Sequence, residues 1–288
     1  MPLVPSAGLE ATARTEAPGE NSVATCSVLV VSCDRYRDLW PPFFHQFRRY
    51  WPDCPFPVYL GANSAAWNDI RVSTLHSGPD ESWSKSLKFF LSQIPSPYVL
   101  ILLEDFFLDG VVSTSRVVEH LETLDALGGT VLRLVPNPPP DTVLEEHPAV
   151  GEIHRLAPFR VSAQPAIWNR GRVMAVLRDG ESAWDFEHQG TARSQADWSG
   201  YFCVRVPALP CRHVVEQGKW FRAAARHYKS LNIGCDFAVR PTMGALTAMK
   251  KLARQRLRRR ETPGLDSLRV ALATNLIPPY HKPVLDCL

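Results

Sequence analysis

The stretch Tyr98-Val-Leu-Ile-Leu-Leu-Glu-Asp-Phe-Phe-Leu-Asp109 decides the fold class. Its apolar and aromatic run ends at two adjacent carboxylates, Glu104 and Asp105, and a third, Asp109, follows four positions later. A short, continuous apolar run predicts a strand covered on both faces, as in a parallel sheet flanked by helices. Carboxylates cannot stay charged inside such a strand, so Glu104 and Asp105 are expected at its carboxyl end. Open α/β sheets bind their ligands outside the carboxyl ends of the strands. Acids placed there commonly hold a divalent cation against a substrate phosphate.

On the amino side, Thr25-Cys-Ser-Val-Leu-Val-Val-Ser-Cys33 predicts a buried strand running into Asp34-Arg35-Tyr36. A helix follows from Leu39, with prolines in its first turn, where a missing N–H does little harm. Pro55-Phe-Pro-Val-Tyr-Leu60 and residues 71–75 predict two further strands, and the periodicity of Trp83, Leu87, Phe90, Leu91 and Ile94 predicts a helix over 82–94. On the carboxyl side, residues 113–127 predict a helix with a Ser or Thr cap and Gly128-Gly129 as its stop. A strand over 131–135 and a rigid loop over 136–140 follow. The alternation predicts an α/β fold with a mostly parallel central sheet flanked by helices. Residues 159–168 read as extended, leading into a helix over 170–177, and residues 180–187 open another short helix.

Residues 1–22, rich in Ala, Glu, Thr, Gly and Pro without periodicity, are expected to be a disordered tail. The expected domain covers 23–244, and 245–288 reads as a basic helix with a Pro-containing tail. In 246–260, Leu246, Met249, Leu252 and Leu257 lie near one side of a helix that otherwise carries Lys and Arg. Such a helix suits an anionic membrane surface, nucleic acid or plain solvent. A net charge of +3 is too small to imply a nucleic-acid partner by itself, and none is expected. Seven cysteines without a C-x-x-C pair, and no secretory signal, fit a reducing cytoplasmic compartment. No apolar stretch reaches the ~18 residues of a membrane span.

Three clusters carry possible chemistry. Glu104, Asp105 and Asp109 read either as a metal site bridging phosphates or as a strand-end turn whose acids cap the next segment. Trp184-Asp-Phe-Glu187 suits a sugar site, with ring faces on C–H surface and a carboxylate to accept a hydroxyl proton; alternatively its aromatics are core anchors. Asp34 and Tyr36 sit where a doubly wound sheet meets a nucleotide, Asp34 to take a hydroxyl or base N–H and Tyr36 to stack, or else form a polar turn. Lys219 is a candidate to neutralise a pyrophosphate, as are Arg133 and Arg240. The chain has no G-x-G-x-x-G, no H-E-x-x-H and no G-x-S-x-G, which argues against dinucleotide binding, a zinc protease and a serine hydrolase.

Residues 28–63, 83–109 and 162–187 together resemble a GT-A-type glycosyltransferase, of the kind found in bacterial surface-polysaccharide and lipopolysaccharide gene clusters. The resemblance lies in the order and spacing of several motifs across most of 25–240. It implies a GT-A-like single domain that transfers a sugar from a nucleotide-sugar donor to a hydroxyl of a glycan or lipid-linked acceptor. In that family an acidic D-x-D-like motif holds Mn²⁺ or Mg²⁺ on the donor diphosphate. The matching residues are Glu104-Asp105-Phe106, so Phe106 stands where an acid is common. Metal dependence is left open: Asp105 alone, Asp105 with Asp109, or no metal. The family's late general base best matches Glu187, with Asp185 next, and the implied donor contacts are Asp34, Tyr36, Glu104, Asp105, Trp184 and Lys219. The implied mechanism is inverting direct displacement. A nucleotidyltransferase shares a similar sheet and acidic strand end, but its glycine-rich basic loop after the first strand is missing. A non-catalytic adaptor that keeps the fold and binds a membrane or assembly partner is the third reading, favoured by Phe106.

Overall fold

The computed structural model describes residues 25–244. The tail expected over 1–22 and the basic helix and tail expected over 245–288 lie outside the described residues. The strands are β1 (Cys26–Val31), β2 (Val58–Ala62), β3 (Val72–His76), β4 (Tyr98–Leu103), β5 (Phe106–Leu108), β6 (Val131–Arg133), β7 (Thr142–Val143), β8 (Val150–Glu152), β9 (Ala166–Asn169), β10 (Tyr201–Val204), β11 (Cys211–His213), β12 (Val215–Glu216) and β13 (Lys219–Trp220). The helices are α1 (Trp40–Tyr50), α2 (Trp83–Gln93), α3 (Thr114–Ala126), α4 (Arg170–Val176), α5 (Ala183–Ser194) and α6 (Arg222–Leu231).

A nine-stranded mixed sheet runs in the order β3-β2-β1-β4-β9-β6-β10-β8-β7. The β3-β2-β1-β4 half is parallel throughout. Beyond it β9 runs antiparallel to both β4 and β6, β10 is parallel to β6, and β8 and β7 close the far edge antiparallel. The fold is therefore α/β, as the opening strand implied, with helices on both faces.

Both faces of β1 and β4 are buried because their side chains alternate into two separate cores. Val28, Val30, Leu100 and Leu102 pack with aromatic residues of α1 and apolar residues of α3 and α6. Leu29, Val31, Val99 and Ile101 pack with residues of α2, α4 and α5. A continuous apolar run is what this two-sided burial requires. Helix starts follow their local chemistry: Ser82 accepts from the Lys85 N–H, Ser113 from the Arg116 N–H, and prolines occupy the first turn of α1. Residues 34–39 form a 3-10 turn instead of a simple loop. The short strands β5, β7, β8 and β10 to β13 carry too few residues for a readable alternation, and tertiary pairing creates them. No helix of the described residues is long and apolar enough to cross a membrane, and the six cysteines among them are free thiols.

Candidate functional site

From β1 the chain builds β2 and β3 on one side, then crosses to add β4 on the other. The gap between β1 and β4 is thus a topological switch point, where a crevice opens outside the carboxyl ends of the strands. Val31 and Leu103 are register partners at those ends. The segments that follow them, Asp34 to Tyr36 and Glu104 to Asp105, therefore rise side by side.

Glu104 is 8% exposed. Burial pushes its carboxyl well above the usual carboxylate range, and the neighbouring Asp105 charge pushes it further. Tyr36 faces the same acids; burial and then Glu104 raise its phenol. The Arg240 guanidinium lies over the Tyr36 ring, 3.9 Å from its centroid. Arg240 also donates to both Asp38 oxygens at 2.8 Å and to the Arg35 carbonyl. Burial alone would lower the Arg240 pKa, but the Asp38 pairing outweighs it and the net shift is upward.

Asp105 is held from the second half of the chain. Its backbone carbonyl accepts the Val214 N–H at 2.8 Å, and its Oδ2 accepts from His213 Nε2 at 3.1 Å. Asp105 Oδ1 is buried and meets no hydrogen-bond partner among the described residues. Phe106 has a defined use: β5 pairs antiparallel with β11, and the Phe106 ring stacks on His213 with centroids 4.6 Å apart and planes 2° from parallel. The residue that replaces an expected acid is the plate that fixes the imidazole against Asp105.

Asp109 does not join this group. Its Oδ2 takes two bonds from Arg212, at 2.6 and 3.0 Å, and its Oδ1 lies 3.5 Å from His227. Among the described residues no three His, Cys, Asp or Glu side chains form a metal-binding group. The donor set at this strand end is one unpartnered oxygen, the buried Asp105 Oδ1. That suits a divalent ion held by a single carboxylate and substrate phosphates, a common arrangement for Mg²⁺.

Asp34 is committed to the loop after β2. Its carboxylate accepts the N–H groups of Asn63, Ser64 and Ala65 and the Ser64 hydroxyl, while Asn63 Oδ1 takes the Asp34 N–H. Burial raises its pKa, but these bonds outweigh that and the net shift is downward. The side chain thereby fixes the turn that presents Tyr36.

Glu187 reaches the same edge of the sheet by another route. Because β9 is antiparallel to β4, with Ala166 opposite Ile101, residues 162–163 lie toward the carboxyl end of β4. Glu187 Oε1 accepts the Ser162 hydroxyl at 2.8 Å and the Ala163 N–H at 2.9 Å. Oε2 has no hydrogen bond among the described residues. Asp185 forms the capping box of α5, accepting the Ser182 N–H and hydroxyl at 3.1 and 2.7 Å, and these bonds lower its pKa. Trp184 is 50% exposed, whereas Phe186 is buried between Trp83 and Trp168. Of the two aromatics, Phe186 is the core anchor and Trp184 is open. Lys219 is exposed on the β12–β13 hairpin, whose turn residue Gly218 adjoins Arg240. Arg133 is buried and donates to the Pro138 and Phe159 carbonyls, away from solvent. His213 had no motif or spacing to mark it, since its partner Asp105 lies 108 positions away.

No protein-family model matches the chain, and no curated protein matches it. Among solved structures, S. aureus TarS is similar at 13% identity and TM-score 0.40, over 63% of this chain and 37% of TarS. The chain thus spans little more than a third of TarS. The 2-C-methyl-D-erythritol 4-phosphate cytidylyltransferase from Thermus thermophilus is similar at 15% identity and TM-score 0.44, over 72% of this chain and 98% of that one. A UDP-glucose pyrophosphorylase complexed with UDP-glucose is similar at 7% identity and TM-score 0.45, over 72% and 99%. Likenesses this distant assign no family. What the topology itself establishes is an α/β protein with the acidic pair Glu104 and Asp105 just past the carboxyl end of β4, at the β1–β4 switch point.

Proposed function

We propose that the chain is a GT-A-type glycosyltransferase, transferring a sugar from a nucleotide-sugar donor to a hydroxyl of a glycan or lipid-linked acceptor. The observation that carries this reading is the pairing of two differently prepared carboxylates at one sheet edge: Asp105 with a buried, unpartnered oxygen at the switch point, and Glu187 with one oxygen pinned and the other open. The first suits a diphosphate and its counter-ion, the second a proton acceptor.

In this reading Tyr36 offers a ring face to the nucleoside, and Asp34 acts by holding its turn. Lys219 offsets charge on the departing diphosphate, while Arg240, closed by Asp38, acts by holding the Tyr36 ring. Asp105 would hold Mn²⁺ or Mg²⁺, which supplies further positive charge there when bound. Trp184 offers an apolar face to sugar C–H groups, with Asp185 capping the helix that carries it. The Ser162 and Ala163 bonds orient Glu187 so that Oε2 takes the acceptor hydroxyl proton as oxygen attacks the anomeric carbon. With one open base and, among the described residues, no second carboxylate placed as a nucleophile, the reading is direct displacement that inverts the centre.

The test is calorimetric binding of UDP-, GDP-, CMP- and dTDP-linked sugars, with and without Mn²⁺, followed by transfer assays with the sugar that binds. Glu187→Gln is expected to lower turnover by about 10²- to 10⁴-fold while donor affinity stays nearly unchanged. Loss of donor affinity together with turnover would remove Glu187 from the base role. Absence of binding by every nucleotide sugar would overturn the transferase reading. Release of pyrophosphate from a nucleoside triphosphate and a sugar phosphate would assign the chain to nucleotidyl transfer instead.

A further inference from the structure

A cavity of about 460 Å³ opens between α4, α5 and the start of β10, lined by Arg172, Arg178, Arg193, Asp197, Ser199 and Tyr201 among others. It lies at the opposite end of the strands from Glu104 and Asp105. Tyr201 begins β10, Thr130 precedes β6, and Asn169, three residues before Arg172, is the register partner of Tyr98 at the amino end of β4. Its volume falls in the range of small-molecule sites.

The charges lining it are unevenly satisfied. Arg193 is neutralised by a two-bond pair with Glu181, at 2.6 and 2.9 Å. The guanidinium groups of Arg172 and Arg178 bond only neutral acceptors among the described residues: Arg172 the Gly128 carbonyl at 2.6 Å and the Thr130 hydroxyl at 3.4 Å, Arg178 the Ala175 and Leu177 carbonyls at 2.8 and 2.9 Å, while the Arg178 backbone N–H reaches a Glu181 carboxylate oxygen at 3.4 Å. Each of these bonds uses one terminal nitrogen, so most guanidinium N–H donors on both residues remain for a ligand. The cavity's one acid, Asp197, accepts the Ser199 N–H at 2.8 Å, the Ser199 hydroxyl at 2.6 Å and the Tyr201 hydroxyl at 3.1 Å. Two carboxylate oxygens offer about four acceptor sites, which leaves one for a ligand hydroxyl. Arg160, over the Tyr201 ring at 3.7 Å, donates to the Asp197 backbone carbonyl at 3.2 Å.

We propose that this cavity is a second binding site, for a small phosphorylated carbohydrate: Arg172 and Arg178 take the phosphate, and Asp197 takes a hydroxyl. An arginine fork matches a phosphate with two parallel bonds, and neither fork is already closed by a carboxylate. Trp198, which lies in sequence between the lining residues Asp197 and Ser199, is 81% exposed and carries Arg155 on one face at 3.6 Å. This proposal does not depend on the transferase reading.

Titration calorimetry of the full chain with glucose 6-phosphate, inorganic phosphate and glucose tests it. Glucose 6-phosphate is expected to bind, phosphate more weakly and glucose least. The double variant Arg172→Ala/Arg178→Ala is expected to weaken glucose 6-phosphate by at least about tenfold, the effect of losing one or more charge-assisted bonds. If that variant fails to fold, Arg178→Ala alone, whose guanidinium bonds only carbonyls near its own helix end, is expected to weaken it by about threefold or more. Undiminished binding in the variants would place the phosphate elsewhere and overturn the proposal, as would absence of binding to the parent chain. Phosphate binding as tightly as glucose 6-phosphate would overturn the role given to Asp197.

Discussion

Glu104 and Asp105 are neighbours in sequence with opposite electrostatic situations. Glu104 is buried and carries a strongly raised pKa, from desolvation first and the Asp105 charge second. A carboxyl whose folded value lies above its ordinary 4.5 contributes fully to stability below that pH, and the contribution is lost as pH rises through the folded value. Glu104→Gln keeps the shape and removes the ionisation. It is expected to melt a few degrees above the parent near pH 8, with the difference closing near pH 4. Scanning calorimetry across that range checks it; equal melting temperatures throughout would mean Glu104 ionises freely in the folded chain. The sequence showed that acids must emerge where an apolar strand stops. It did not show which of the two is buried, because Arg240, Tyr36 and His213 arrive from distant segments.

At the level of elements, the helix and strand pattern of the first half was readable because each element there has its own period and end signal. Strand β4, helix α2 and helix α3 lie within a residue or so of their expected limits. The β5–β11 pair was not readable, since three-residue strands declare themselves only through a partner. A close approach between elements is also invisible in a lone sequence. A Cβ added at Gly61, in β2, would run into the Phe90 ring of α2. Gly61→Ala is therefore expected to cost about 1–3 kcal/mol, the usual penalty of overpacking, despite alanine's better chain entropy. Urea unfolding measures it, and Gly61→Ala/Phe90→Leu is expected to recover part of the loss. A neutral Gly61→Ala would mean α2 shifts freely on the sheet.

Across the whole molecule, Arg240 joins the end of the described chain to its beginning. Its pair with Asp38 spans 202 positions, with both side chains nearly buried at 8% and 10% exposure. Breaking a buried pair by removing one partner leaves an uncompensated charge and costs about 3–5 kcal/mol. Arg240→Ala and Asp38→Ala are each expected to approach that loss in urea unfolding, with the double variant well short of their sum. Strict additivity would show that the two charges do not interact. In the same variants the turn carrying Tyr36 loses its clamp, so under the proposed function nucleotide affinity is expected to fall with stability.

The sequence by itself determined the α/β class, the buried strand over 98–103 and the emergence of Glu104 and Asp105 at its carboxyl end, because hydrophobic period and charge burial are local rules. It also marked Glu187, Tyr36 and Trp184 as chemically suited residues. Only the tertiary structure decided their states: Asp34 bound into a loop, Asp185 used as a cap, Asp109 neutralised by Arg212, and Phe106 turned from a missing acid into the support for His213. Each of those outcomes depends on a partner chosen by strand pairing or packing, and pairing between distant short segments leaves no periodic mark in the chain.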